Sequence, residues 1–182
     1  MNKARVVMGV ALTLALGLSV AFAAAALDGV DGGDDSIGFC TGLDTTPEED
    51  AAFGIRLTNT TSGPITLKSL EIRLMDGIDL WEAYARDQAA LEASGGIGRA
   101  KFPLGPTWMS QLEPVNGSVV QPGDTVQILL RLSLDETAES GFASDMLIHY
   151  ANQFGFGRSA HAGAAFGVHP ADAPEDTPTI CD

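Results

Sequence analysis

The chain has 182 residues, of which 24 are acidic and 10 basic, giving a net charge of −14. The cations Arg56, Lys68, Arg73, Arg86, Arg99, Lys101, Arg131 and Arg158 are scattered among carboxylates. Binding of nucleic acid by phosphate neutralisation is therefore excluded, and adhesion to anionic lipid is disfavoured.

Residues 1–5 carry Lys3 and Arg5, residues 6–27 carry no charge, and Asp28 opens an acidic region. A basic start, an apolar stretch and small residues at its end make an export signal. Ala21-Phe22-Ala23 and Ala24-Ala25-Ala26 both fit small-x-small cleavage. A retained anchor is the competing expectation, since about 20 apolar residues cross a bilayer. A pilin-type signal, cut before the apolar helix, is a third, although Lys3-Ala4-Arg5 matches it only loosely. In the first two, basic residues before the stretch and acidic ones after it leave the domain outside. Residues 1–26 are thus expected to be a hydrophobic signal or anchor helix, with membrane contact only through them if uncleaved. The rest is expected to be extracytoplasmic: secreted, in the cell envelope, or anchored.

Residues 27–50 read as an acidic, Gly-rich linker. The carboxylates of Asp28, Asp31, Asp34 and Asp35 lack the register of an EF-hand loop. Cys40 and Cys181 stand near the two ends of the exported part. An even count in an exported chain suggests that they form a disulfide. Free thiols are the alternative; Cys40 is too far from Ala26 for a lipidated cysteine.

Residues 51–169 read as one domain. Phe53, Ile55 and Leu57 alternate with Arg56 and Thr58, which predicts a half-buried strand. Asn59-Thr60-Thr61-Ser62-Gly63-Pro64 is a turn cluster. Ile65 and Leu67 share one parity, and Leu70, Ile72 and Leu74 the other. That switch predicts a bulge near Lys68-Ser69 or a strand changing sheets. Over residues 79–94, Asp79 and Glu82 suit a capping box, and Leu80, Tyr84, Ala85, Gln88 and Leu91 recur at helical spacing. Gly95-Gly96 supplies a stop. One short inserted helix is expected there, with Trp81 and Tyr84 packing on the sheet.

Residues 98–120 are irregular and rich in Pro and Gly. They hold Phe102, Trp108 and Met109, aromatic and methionine side chains typical of interaction anchors. These three are the candidate binding loop, with Trp108 at its centre; the competing expectation is that Trp108 plugs one end of the domain. Gln121-Pro122-Gly123-Asp124 turns into the strongest strand, where Val126, Ile128, Leu130, Leu132 and Leu134 alternate with polar residues. Met146, Ile148 and Tyr150 mark another strand, and residues 164–168 a last one. Ala51-Ala52-Phe53-Gly54-Ile55 echoes Ala164-Ala165-Phe166-Gly167-Val168. Neighbouring strands with packed phenylalanines would explain that echo. Residues 170–182 form a Pro- and acid-rich tail.

Motifs for chemistry are sparse. His149, His161 and His169 have no His-x-His, His-x-x-x-His or Cys-x-x-Cys spacing, so neither a metal site nor a cofactor is expected. There is no Gly-x-Ser-x-Gly elbow and no phosphate loop, and no catalytic residue stands out. Asn59-Thr60-Thr61 and Asn116-Gly117-Ser118 are glycosylation sequons.

The run Leu57-Thr58-Asn59, Gly63-Pro64-Ile65, Gln121-Pro122-Gly123-Asp124-Thr125-Val126 and Ile148-His149-Tyr150 resembles exported immunoglobulin-like modules of prokaryotes. The resemblance spans residues 52–168 and implies a fold, not an activity. The expectation is an all-β chain: a single antiparallel immunoglobulin-like β-sandwich with one short inserted helix. Its expected role is that of an exported, non-enzymatic envelope or surface protein acting by binding or assembly, with an unknown protein or surface partner or with copies of itself. The alternatives are a fibre or pilus-type subunit, and an extracytoplasmic enzyme or metal-handling protein.

Overall fold

The computed structural model describes residues 39–43, 50–138 and 140–170. The N-terminal apolar segment and Cys181 lie outside the described residues, and no helix among those described is long and apolar enough to cross a membrane. Among the described residues eleven strands, β1 (Phe39–Leu43), β2 (Asp50–Thr58), β3 (Ile65–Asp76), β4 (Ile78–Arg86), β5 (Arg99–Phe102), β6 (Glu113–Pro114), β7 (Val119–Val120), β8 (Thr125–Leu134), β9 (Gly141–Ala151), β10 (Gly157–Ala162) and β11 (Phe166–Pro170), are joined by helices α1 (Gln88–Ser94) and α2 (Pro106–Met109).

The strands form two sheets. One has the order β5-β2-β8-β4-β6, the other β1-β11-β9-β3-β7 with β10 also paired to β9. The chain is an all-β sandwich. All pairings are antiparallel except β1 with β11, where Phe39 stands beside Phe166 and Cys40 beside Gly167. That parallel strand lies within the stretch read as linker.

Alternation puts one face of each sheet inward. Phe53, Leu57, Ile128, Leu130 and Leu132 from one sheet meet Leu67, Met146, Ile148 and Phe166 from the other, all fully buried. Phe53 and Phe166 stack with centroids 4.7 Å apart. The echoed segments therefore do pack their phenylalanines together. They do so across the sandwich, because β2 pairs with β8 and β5, and β11 with β9 and β1.

The expected bulge at Lys68-Ser69 is present: the register of β3 on β9 shifts between Leu67 and Ser69. The expected helix over residues 79–94 is half strand. β4 pairs with β8 from Ile78 opposite Leu134 to Arg86 opposite Gln127, with a second bulge between Leu80 and Glu82. That bulge spaces Leu80 and Ala83 three apart on one face, which imitates a helical period. The central strand β8 offers every β4 residue but the bulged Trp81 a pairing partner, and this outweighs the local pattern. The helix begins at Asp87 instead, whose side chain accepts from the Ala90 N–H at 2.8 Å, and ends at Gly95 with φ 73°. Strand β10 was not foreseen. With β11 it makes one interrupted ribbon along β9, since Ala162 faces Met146 and Phe166 faces Ala143, one residue out of step.

Candidate functional site

Three surfaces bring chemistry-bearing residues together. The first is the outer face of the β5-β2-β8-β4-β6 sheet, which the segment from Asp87 to Leu112 covers. Gln127 clamps that segment: its Nε2 donates to Ile97 O at 2.7 Å and its Oε1 accepts from Ile97 N at 3.1 Å. Gly54 lies beneath, where a Cβ would stand 2.0 Å from Ile97 O.

Arg86 is the anchor of this cap. It is fully buried, and its guanidinium donates to Gly95 O, Ala90 O, Ser94 Oγ, Gln111 Oε1 and Gln127 Oε1 at 2.6–3.1 Å. All five acceptors are uncharged, so burial pulls the arginine pKa down, against a smaller opposing pull from Asp87. Trp108 closes the site, its ring centroid 3.8 Å from the guanidinium carbon. A cation over an indole face is electrostatically favourable, more so when desolvated.

The structure thus separates the three loop residues read from sequence. Trp108 and Met109 sit half-buried on α2, whereas Phe102 is buried at the end of β5. Phe102 belongs to a neighbouring ladder. Arg131 lies over its ring at 4.7 Å and Tyr84 stacks beside it at 6.2 Å. Arg131 Nε pairs with Asp50 Oδ2 at 2.5 Å, and its Nη1 reaches Glu82 Oε2 at 3.3 Å. The Tyr84 hydroxyl donates to Glu82. Arg86 and Arg131 were not singled out from sequence. Arg131 stands at a polar position of the strongly alternating strand β8, whereas Arg86 falls in the stretch expected to be helix and nothing local marks it.

The second surface is the outer face of β3, β9 and β10. His149 Nδ1 lies 2.7 Å from Ser159 Oγ, and its Nε2 lies 3.2 Å from Glu71 Oε2. His161 Nε2 lies 2.6 Å from Asp145 Oδ1. These are cross-strand polar pairs. No group of three or more His, Cys, Asp or Glu able to hold a metal occurs among the described residues. Of the two sequons, Asn116 is exposed, but Asn59 is fully buried. The Asn59 amide donates to Gly63 O and Val120 O, and its oxygen accepts from Thr61, so the side chain staples a turn.

The third surface is the side of the sandwich where β3 and β4 lie. On its outer edge β3 meets only β7, at Ile65 and Thr66, with backbone bonds from Leu67 to Gly117 and Ser118 beyond. Among the described residues no strand pairs with residues 68–76 on that side. Leu70 and Ile72 are half-buried against the core, and Leu74 is 54 % exposed. β4 is similar, since β6 covers only Tyr84 and Ala85.

No protein-family model matches the chain, and no curated protein does. Solved structures similar to it include an ASH / PapD-like domain of human CEP192, at 10 % identity and TM-score 0.38, covering 80 % of this chain and 86 % of that one. Another is the Vibrio cholerae VesB protease, at 10 % identity and TM-score 0.30, covering 78 % of this chain and 31 % of that one.

Proposed function

We propose that this chain is an exported envelope or surface protein that works by binding or assembly through its sandwich. The observation that carries the assembly is the open edge of β3, whose backbone hydrogen-bonding groups and half-covered aliphatic row suit an added strand. Export is supported by the basic start, the uncharged residues 6–27 and the alanine-rich end. The strongly acidic remainder suits a protein that stays soluble in a salty or cation-rich medium. A fibre subunit is a variant of the same reading, in which the edge accepts a strand from the next copy.

Fractionation of the host tests the address. The chain is expected outside the cytoplasm, and a version lacking residues 1–26 is expected inside. Retention of the full chain in the cytoplasm overturns the proposal. The native size of the exported chain then separates a discrete assembly from a fibre.

A further inference from the structure

We infer that the open edge of β3 pairs with the β3 edge of a second copy, antiparallel, about a two-fold axis through Ile72. This rests on the proposed assembly through the sheet edge and names its partner and register. The edge reads Lys68-Ser69-Leu70-Glu71-Ile72-Arg73-Leu74-Met75-Asp76. Turned end to end about Ile72, the segment complements itself. Lys68 meets Asp76, Leu70 meets Leu74 and Glu71 meets Arg73, each pair occurring twice, and Ile72 meets its own copy once on the axis.

Opposite charges facing across an antiparallel pair are stabilising, and like charges are not. Sliding the register by two residues in one direction places Glu71 on Glu71; sliding it in the other places Arg73 on Arg73. A parallel in-register pairing would set every charge against itself. Only the arrangement centred on Ile72 matches both charge pairs, so the sequence specifies register as well as attraction.

Burial supports the same arrangement. Leu70 and Ile72 pack against the core but are only half-buried, and Leu74 is 54 % exposed. Pairing continues this row into the partner's row and removes aliphatic surface from water on the inner side. Glu71 and Arg73 stay on the outer face, where each side chain is about half exposed, at 52 % and 51 %, and their present contact is a loose 3.6 Å. An edge strand guarded against aggregation carries charges that repel a second copy. Here the charges are ordered to accept one. The symmetry is isologous, so it closes at a dimer.

Sedimentation of the full exported chain over a range of concentrations tests this. A reversible dimer is expected. Glu71→Arg or Arg73→Glu alone turns two attractive pairs into repulsive ones and should weaken association about tenfold or more. The double exchange, Glu71→Arg with Arg73→Glu, should restore it. Hydrogen exchange on the unmodified chain gives a check independent of variants. The amides of residues 68–76 that point away from β9 should slow about fivefold when the total protomer concentration is ten times the dimer dissociation constant.

A monomer at every concentration overturns the inference. So does a dimer indifferent to the reversals, or an edge protected equally at all concentrations, which would mean that the chain's own tail covers it. A monomer that is exported and captures a different partner would overturn this pairing while leaving the proposed function standing.

Discussion

The guanidinium carbon of Arg86 lies 3.8 Å from the ring centroid of Trp108. One residue comes from a strand of the sheet and the other from a helix of the cap, so this contact fastens the cap to the sandwich. It also says what the tryptophan read from sequence as a binding anchor does in the fold: its ring covers a buried cation.

Trp108→Ala should therefore lower stability, by about 1–2 kcal/mol for a desolvated cation–π contact. Arg86→Met should cost more, about 3 kcal/mol, because five acceptors, one of them on the buried Gln127, lose their donor together. Urea denaturation of the full chain measures both. An unchanged midpoint for Trp108→Ala, combined with loss of a partner, would instead make the ring a contact surface.

Gly54→Ala should cost about 1–3 kcal/mol through overpacking. The new methyl would meet a backbone oxygen, Ile97 O at 2.0 Å, as well as the Gln127 side chain at 2.4 Å. A side chain can rotate away, whereas the backbone must move. Loss of the Gly54 N–H bond to Gly98 O should accompany it, seen as faster exchange of the Gly54 amide.

Stability should fall at both ends of the pH range for one shared reason. The Glu82 carboxyl is held below the usual glutamate range, first by the Tyr84 hydroxyl and further by Arg131, against a partial opposing effect of burial. Its contribution is present at neutral pH and is lost as pH falls through the acid carboxylate range. Tyr84 is pushed above the usual tyrosine range, by burial first and by Glu82 second. That contribution is also present at neutral pH and is lost above about pH 10. Denaturation midpoints against pH should show both limbs. Tyr84→Phe should flatten the alkaline limb and weaken the acid one, and Glu82→Gln should weaken the acid limb.

A bridge between Cys40 and Cys181 would tie residues 170–182 back to the edge strand β1, whose Cys40 stands beside Gly167 of β11. In the chain-entropy model, a loop of that length is worth on the order of 4–5 kcal/mol. Thiol titration of the denatured, unreduced chain should find no free thiol. Two reactive thiols would refute the bridge.

Much of the sandwich was legible because strands buried on one face alternate with period two. Phe53-Ile55-Leu57 and Ile128-Leu130-Leu132 did not depend on their neighbours to be read. The parity change after Leu67 exposed a bulge for the same reason. β4 was harder. Leu80, Tyr84 and Ala85 stand at helical spacing yet lie on a bulged strand, and only pairing with β8 decides between the two. Arg86 was invisible as an anchor, because nothing local to it shows that Trp108, Gln111 and Gln127 converge there.

By itself the sequence determined the apolar start, the acid balance, the strand periodicity and the charge order of residues 68–76. These are properties of consecutive residues, readable without knowing what lies alongside. The tertiary structure alone decided which strands are neighbours. It placed Phe53 on Phe166 across the sandwich, shortened the helix to Gln88–Ser94, and left residues 68–76 on an edge unpaired among the described residues. Sheet neighbours are chosen by long-range burial and backbone hydrogen bonding, and no local window of sequence contains both partners.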